Sequence, residues 1–327
     1  MQLRAPPAAT HAPLRSLALR VAVIDMGTNS TRLLVADVDR GRVDAVHRES
    51  RVTGLGRGVE TSGQLATDAI ESVYTAIGDY LALAEQHGAA EVVAVATSAV
   101  RDATNGDAFL AELRERFSLS ARTIDGLEEA RLTYRGARSG GSIEGNTLVV
   151  DIGGGSTELI VGSGPEPSFH TSLQLGVVRH SERHVHADPP RTEELEALAG
   201  DVGATLESEL AAHPGLSADR GIAVAGTPAI LAAVELGLDP FDPQVVEGHR
   251  LSLGSAQQSC SRLSSLPLEE RRQVAGVDPD RAPTIVAGVV ILIKAMRAFG
   301  LSEVEVSERD ILFGAALAAA DRSNGTH

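Results

Sequence analysis

Apolar residues dominate Val21–Asp25 and alternate with polar ones over Thr31–Asp37 and Arg42–Arg48, with Asp39-Arg40-Gly41 as a turn, so three successive strands are predicted. The period then lengthens. From Thr67 to His87, the positions Ile70, Val73, Ile77, Leu81 and Ala84 form one helical face, with Thr67 as cap and Gly88 as stop. A buried strand at Glu91–Ala96, a helix over 107–117 and a short strand at Ala121–Ile124 complete a β-β-β-α-β-α unit. The second half repeats this order. A helix over Leu127–Ala137 precedes strands at 147–152, 157–162 and roughly 168–173, then helices near 179–186 and 192–212. Gly221–Ala225 is a strand that opens through Gly226-Thr227 into a helix from Pro228 to about Gly237, where proline suits the first turn. Helices near 254–265, 267–274 and 282–299, a strand at Glu303–Val306 and a helix over Asp310–Ala320 close the chain.

The two units carry near copies of one segment. Asp25-Met26-Gly27-Thr28-Asn29-Ser30-Thr31-Arg32-Leu33-Leu34-Val35 aligns with Asp151-Ile152-Gly153-Gly154-Gly155-Ser156-Thr157-Glu158-Leu159-Ile160-Val161, with Asp, Gly, Ser, Thr, Leu and Val at the same offsets. Each copy reads as strand, tight turn, strand. A glycine two residues after a strand-end aspartate lets the backbone turn sharply and present N–H groups to an anion. An ordinary hairpin needs Gly or Asn, but not the same Asp, Ser and Thr in both halves. The segments therefore read as two phosphate loops. Asp25, Gly27, Thr28, Asn29 and Ser30 on one side, and Gly153, Gly154, Gly155, Ser156 and Thr157 on the other, are expected to pinch one phosphate-bearing ligand. The aspartates themselves are expected to face a metal ion or a water. Position 32 is Arg where position 158 is Glu, so the copies have diverged there. Two β-β-β-α-β-α lobes around a cleft predict an α/β, actin-like (ribonuclease-H-like) fold.

Composition sets the bounds. The 327 residues are enough for two domains, and 43% hydrophobic with 22% charged content suits a soluble globular protein. Aromatics are 3% with no Trp, so the cores must be aliphatic. No apolar run reaches membrane-spanning length. Cys260 is alone, which excludes an intramolecular disulfide and fits a cytoplasmic location. A formal net charge of −15 argues against non-specific nucleic-acid binding, and any attraction for a polyanion must be local. Residues 1–19 lack a sustained apolar stretch, which argues against a signal peptide; a disordered tail is expected there. Domain I is expected over 20–126 and domain II over 127–307, with a C-terminal helix in 308–327 packing back near their junction.

The segments VAVIDMGTNSTRLLV, VVAVATSAVRDATNG, GLEEARLTYRGA, VVDIGGGSTELIVG and GIAVAGTPAILAAVELG stand in the order found in the Ppx/GppA phosphatases. From residue 20 to about 320 the chain resembles that family of exopolyphosphatases and guanosine pentaphosphate phosphatases. It looks like the short form, without a C-terminal metal-phosphohydrolase-like helical domain, and it has no His-Asp doublet. Hydrolysis of a phosphoanhydride needs an in-line water, shielding of the phosphoryl oxygens and a stabilised leaving group. Thr97, Ser98 and Arg101 follow a strand end and are expected at the ligand, with Arg101 on a terminal phosphate. Glu128 and Glu129, at a helix start, are equal candidates for the base on the residues alone; the resemblance implies Glu129. Asp151 and Glu158 together can hold a hydrated Mg²⁺, with Mn²⁺ as the alternative. Gly226 and Thr227 resemble the segment that contacts the nucleotide in superfamily ATPases, and a helix N-terminus there suits an anion. His180, His184 and His186 are expected on a solvated helix face. Arg51 and Arg57, around the Gly54–Gly58 loop, are expected to be either ordinary surface residues or part of the ligand path.

Four functions compete. The first is an exopolyphosphatase acting on inorganic polyphosphate, and the second a guanosine pentaphosphate 5′-phosphohydrolase. The scarcity of aromatics for a purine platform tilts toward polyphosphate. The third is an actin-like kinase, disfavoured by the Glu-Glu-Ala-Arg segment. The fourth is a non-catalytic sensor, disfavoured by the intact Glu129, Asp151 and Glu158. A homodimer is compatible with all four; nucleic-acid and membrane partners are not expected.

Overall fold

The computed structural model describes residues 18–141, 145–323 and 325. The first lobe runs β1 (Leu19–Met26), β2 (Ser30–Asp39), β3 (Arg42–Val52), α1 (Val59–Ser62), α2 (Thr67–Gln86), β4 (Glu91–Ala96), α3 (Ser98–Asp102), α4 (Gly106–Phe117) and β5 (Ala121–Thr123). The second runs α5 (Gly126–Arg138), β6 (Thr147–Ile152), β7 (Thr157–Gly162), β8 (Phe169–Leu173), α6 (Val177–His184), α7 (Thr192–Ala212), β9 (Arg220–Val224), α8 (Gly226–Leu236), α9 (Pro243–Val246), β10 (Arg250–Ser252), α10 (Leu253–Ser265), α11 (Leu268–Arg271), α12 (Ile285–Ala298) and β11 (Glu303–Ser307). The chain then returns to the first lobe as α13 (Ile311–Ser323).

One sheet has the order β3-β2-β1-β4-β5 and the other β10-β11-β9-β6-β7-β8. In each, three antiparallel strands are followed by two parallel ones, and the second adds β10 antiparallel at its edge. This shared strand order, repeated around a cleft, is the actin-like, ribonuclease-H-like fold. It brings the duplicated loops, β1–β2 and β6–β7, to the same relative place in both lobes.

The strands beside the loops are apolar on both faces because both faces are covered. In β1, Ala22, Ile24 and Met26 pack with Val73, Ile77 and Tyr80 of α2, while Val21 and Val23 pack with Ile311, Ala315 and Ala319 of α13. In β6, Leu148 and Val150 lie against the core containing α7 and α12, and Val149 against Ala130 and Tyr134 of α5. Helices α5 and α13 thus line the inner faces of the two sheets and meet each other. Their contact is close: a Cβ on Gly136 would stand 1.8 Å from the Asp310 carbonyl oxygen, and one on Gly314 1.8 Å from that of Leu132. Gly136→Ala is therefore expected to lower unfolding stability by about 1–3 kcal/mol from overpacking, although alanine is the better helix former by ~0.8–1.0 kcal/mol. Urea denaturation checks this; an unchanged or raised midpoint would contradict the packing.

Several expectations need correction. Leu19 already belongs to β1, and residues 1–17 of the expected tail lie outside the described residues. Thr67 is the first helical residue of α2 rather than its cap, because Ala66 holds the extended cap conformation. The stretch after β4, for which no element was expected, is the short helix α3. The helix expected over 267–274 is only α11, and α1, α9 and β10 were not foreseen. Cys260 is half-buried at the edge of the second lobe's core. Among the described residues no helix is long and apolar enough to cross a membrane.

Candidate active site

The two loops face each other across one pocket. Its walls include Asp25 and Gly27–Ser30 from the first lobe, Asp151 and Gly153–Ser156 from the second, and Thr97, Ser98, Glu129, Glu158, Gly226 and Thr227 around them. Each loop is folded by the same bond: the Gly27 N–H donates to the Ser30 carbonyl at 3.0 Å, and that of Gly153 to the Ser156 carbonyl at 2.9 Å. The amides of Gly27 and Gly153, expected as phosphate donors, are therefore occupied by the turns themselves. The amides left for a ligand are those that follow. In the first loop the carbonyls of Thr28 and Asn29 accept from Gly56, Thr53 and Gly54. In the second, the carbonyls of Gly153 and Gly154 accept from Val177 and Val178, and that of Gly155 from Arg179 Nε. A trans peptide points its N–H opposite to its C=O. The amides of Asn29, Ser30, Gly154, Gly155 and Ser156 are thereby turned away from these anchors, in residues that line the pocket.

The structure separates the two glutamates. Glu128 points outward to Arg122, with one oxygen 2.6 Å from Nη1. Glu129 is buried in the pocket wall, and Arg101 Nη1 stands 3.3 Å from its Oε2. Burial, then the neighbouring Glu158, push the Glu129 carboxyl well above the ordinary glutamate range, and Arg101 acts against them. Arg101 also donates to the Ile124 carbonyl at 2.8 Å. It pairs with Glu129 and is not itself in the pocket wall, so the structure does not place it where a terminal phosphate was expected. Asp151 and Glu158 are cross-strand partners on β6 and β7, both buried. Thr133 Oγ1 donates to Asp151 Oδ2 at 3.1 Å and Ser172 Oγ to Glu158 Oε1 at 2.7 Å. Burial, followed by Glu158, pushes Asp151 up to about 8, and burial also raises Glu158.

The first lobe answers differently at the same register. Arg32, opposite Asp25 on β2, donates to Asp25 Oδ2 through Nε at 3.0 Å and Nη2 at 2.6 Å, and its Nη1 pairs with Asp310. Burial would lower the Arg32 pKa, but Asp310 and Asp25 hold it above the ordinary value. Burial raises Asp25 despite Arg32, and its Oδ1 has no protein partner. Asp310 and Arg281 were missed from the sequence. Arg281 is a pocket wall whose Nη2 donates to Ser30 Oγ at 3.1 Å and Ser50 Oγ at 3.2 Å, joining the lobes. Gly226 makes room for it, since a Cβ there would stand 2.0 Å from Arg281 Nη1. Ala225, just before, holds φ 73°, a conformation costing about 1–3 kcal/mol off glycine and concentrated at functional sites.

Other expected residues fall outside the pocket. The Thr157 hydroxyl is spent on the Leu175 carbonyl at 2.5 Å. Arg51 pairs with Glu49 and Asp79 and lies over the Tyr80 ring, and Arg57 pairs with Asp68, so both are surface residues here. His180 is buried rather than solvated, because its side of α6 packs toward α7, where Asp201 reaches His184 Nε2 at 2.8 Å. No group of three His, Cys, Asp or Glu able to hold a metal occurs among the described residues.

An actin-like fold whose paired glycine loops close on a carboxylate-rich pocket defines a phosphate-handling protein of two lobes. The model of the Ppx/GppA phosphatase family matches residues 34–315, and the chain belongs to that family. It is 38% identical over 315 residues to Exopolyphosphatase 2 of Mycobacterium tuberculosis, covering 92% of this chain and 98% of that protein. It is 31% identical to Exopolyphosphatase 1 of the same organism, over 88% of this chain and 84% of the relative. Among solved structures, an exopolyphosphatase-like protein superposes with a TM-score of 0.89 at 31% identity, covering 94% of this chain and 100% of the other. The Aquifex aeolicus Ppx/GppA family member gives 0.79 at 31% identity, covering 94% and 99%.

Proposed function

We propose that this protein is an exopolyphosphatase that hydrolyses the terminal phosphoanhydride of inorganic polyphosphate. The observation that carries it is Glu129: a buried carboxylate of raised basicity, beside two opposed phosphate loops, in a chain similar to named exopolyphosphatases. The loop amides and Arg281 hold the terminal phosphoryl group and shield its oxygens. Glu129 takes a proton from a water as that water's oxygen bonds to the terminal phosphorus. The bridging P–O bond breaks, its electron pair stays on the shortened chain, and orthophosphate leaves. In ¹⁸O-water the label is expected in released orthophosphate and not in the remaining chain end; label retained in the chain would contradict terminal attack.

The donor set fits Mg²⁺. Asp151 and Glu158 lie side by side as cross-strand partners in the pocket wall and would supply the two carboxylates. Such a set suits an ion that keeps its waters and binds through one or two carboxylates plus phosphate. When bound, that ion would neutralise charge on the phosphoryl oxygens. A test apart from activity follows from the raised carboxyls. A carboxyl raised in the folded protein binds its proton more readily there than in the unfolded chain, and the stability this gives is fully present below the unfolded pKa and lost as pH rises through the folded one. For Asp151 that folded value is about 8. The gain in Tm on adding Mg²⁺ is therefore expected to be larger at about pH 8.5 than at about pH 5, and to shrink in Asp151→Asn. An equal gain at both pH values would contradict the assignment.

One observation favours guanosine pentaphosphate as a second substrate. A cavity of 590 Å³ adjoins the phosphate pocket at Gly226 and Arg281, with Ile230, Leu238 and Phe241 on its apolar side. Phe241 supplies the aromatic surface whose scarcity in the sequence tilted toward polyphosphate. Phe241→Ala is expected to raise KM for guanosine pentaphosphate and leave tripolyphosphate unchanged; equal effects would remove this second substrate.

A further inference from the structure

Helix α6 of the second lobe meets the first lobe at the cleft mouth, and Arg179 holds the centre of that contact. Its Nη1 donates to Glu60 Oε2 at 3.1 Å and its Nη2 to Asp102 Oδ2 at 2.9 Å, both in the first lobe. Its Nε donates to the Gly155 carbonyl at 3.0 Å, in the second-lobe loop. Asp102 also accepts from Ser98 Oγ at 3.2 Å, and Ser98 lines the pocket. Arg183 braces Glu60 through Nε at 3.0 Å, and Glu182 Oε1 accepts from the Gly58 N–H at 3.0 Å. Arg179 is not itself a pocket wall, and its side chain is 16% exposed.

Guanidinium is planar, with its donors in a fixed fork. Once Glu60 and Asp102 fix the two Nη atoms, the direction of Nε is fixed too. Nε holds the Gly155 carbonyl, and the planar peptide then sets where the Ser156 N–H points. We infer that Arg179 is a positioning residue that couples approach of the two lobes to the ligand-binding shape of the second phosphate loop. Lobe closure would order the loop amides, and ligand on those amides would favour closure in return. The inference rests on the phosphate-loop assignment above and assigns Arg179 no contact with substrate.

Lysine carries the charge but cannot serve both lobe and loop, so Arg179→Lys and Arg179→Gln separate positioning from attraction. Glu60→Gln weakens one of the two cross-lobe anchors of the guanidinium, so it should loosen the Arg179–Gly155 bond in part, and exchange over the loop as slow as in wild type would overturn the coupling. With tripolyphosphate, both Arg179 variants are expected to lose at least about tenfold in kcat, and Glu60→Gln to act mainly on KM. In the protein without substrate, amide exchange over residues 153–157 is expected to speed up in both Arg179 variants, with Tm close to wild type, and to change less in Glu60→Gln. Unchanged exchange, or unchanged kcat in Arg179→Lys, would overturn the coupling. If the unaltered protein releases no phosphate from any substrate, the proposed hydrolysis fails, and the exchange experiment still decides the role of Arg179.

Discussion

Glu129→Gln is expected to lower phosphate release from tripolyphosphate by about 10²–10⁴-fold, the usual contribution of a general base, while substrate affinity stays close to wild type. The amide keeps the size and hydrogen-bonding reach of the carboxylate but cannot take the proton of water. Glu128→Gln serves as the control and is expected to be nearly silent, because Glu128 faces Arg122 on the surface. The pH profile adds an independent check. A base works deprotonated, so kcat/KM must fall as pH drops through its pKa. Burial and Glu158 raise that pKa well above the ordinary glutamate value, which places the acid limb above the usual carboxylate range. Arg101 opposes the rise, so Arg101→Gln is expected to move the limb to still higher pH. A limb at the ordinary position, or unmoved in Arg101→Gln, would assign the base elsewhere.

Arg32→Met is expected to cost about 3–5 kcal/mol of folding stability, the penalty for leaving a buried ion-pair partner uncompensated. Arg32 is the shared counterion of Asp25 and Asp310, whose side chains are 4% and 3% exposed. Methionine fills similar space without charge, which leaves two buried carboxyls facing each other. The loss should shrink as pH falls and Asp25, already raised by burial, takes up a proton. It should also be partly recovered in Arg32→Met/Asp25→Asn. Chemical denaturation of the four proteins of this cycle measures it. A loss below about 1 kcal/mol, as for an exposed pair, would contradict the role of Arg32.

The first-lobe and second-lobe loops were legible because their signal is local: Asp, Gly, Ser and Thr recur at fixed offsets between apolar strands, and the pocket is lined by both copies. The order of the longer elements was legible for the same reason, since each carries its own period, whereas α1, α3, α9 and β10 are too short to show one. What the sequence concealed is long-range. Asp310 lies at the start of α13, far along the chain from Arg32, and only the return of α13 onto the first sheet brings them together. The Arg32 for Glu158 exchange marked the asymmetry but not the partner. Arg281 and Arg179 stood in segments with no repeat to mark them. His180 was misjudged because charged neighbours on α6 resemble a solvated face, whereas α7 covers that side. Glu128 and Glu129 could not be separated by residue type, since adjacent helical positions point in different directions and only the packing of α5 tells which one enters the pocket.

The most direct measurement is orthophosphate release by the protein from tripolyphosphate, long-chain polyphosphate, guanosine pentaphosphate and ATP, side by side, with Mg²⁺ and with excess chelator. The account predicts release from the polyphosphates with Mg²⁺, none with chelator, and little from ATP. Full turnover in chelator, or ATP preferred over every polyphosphate, would contradict it.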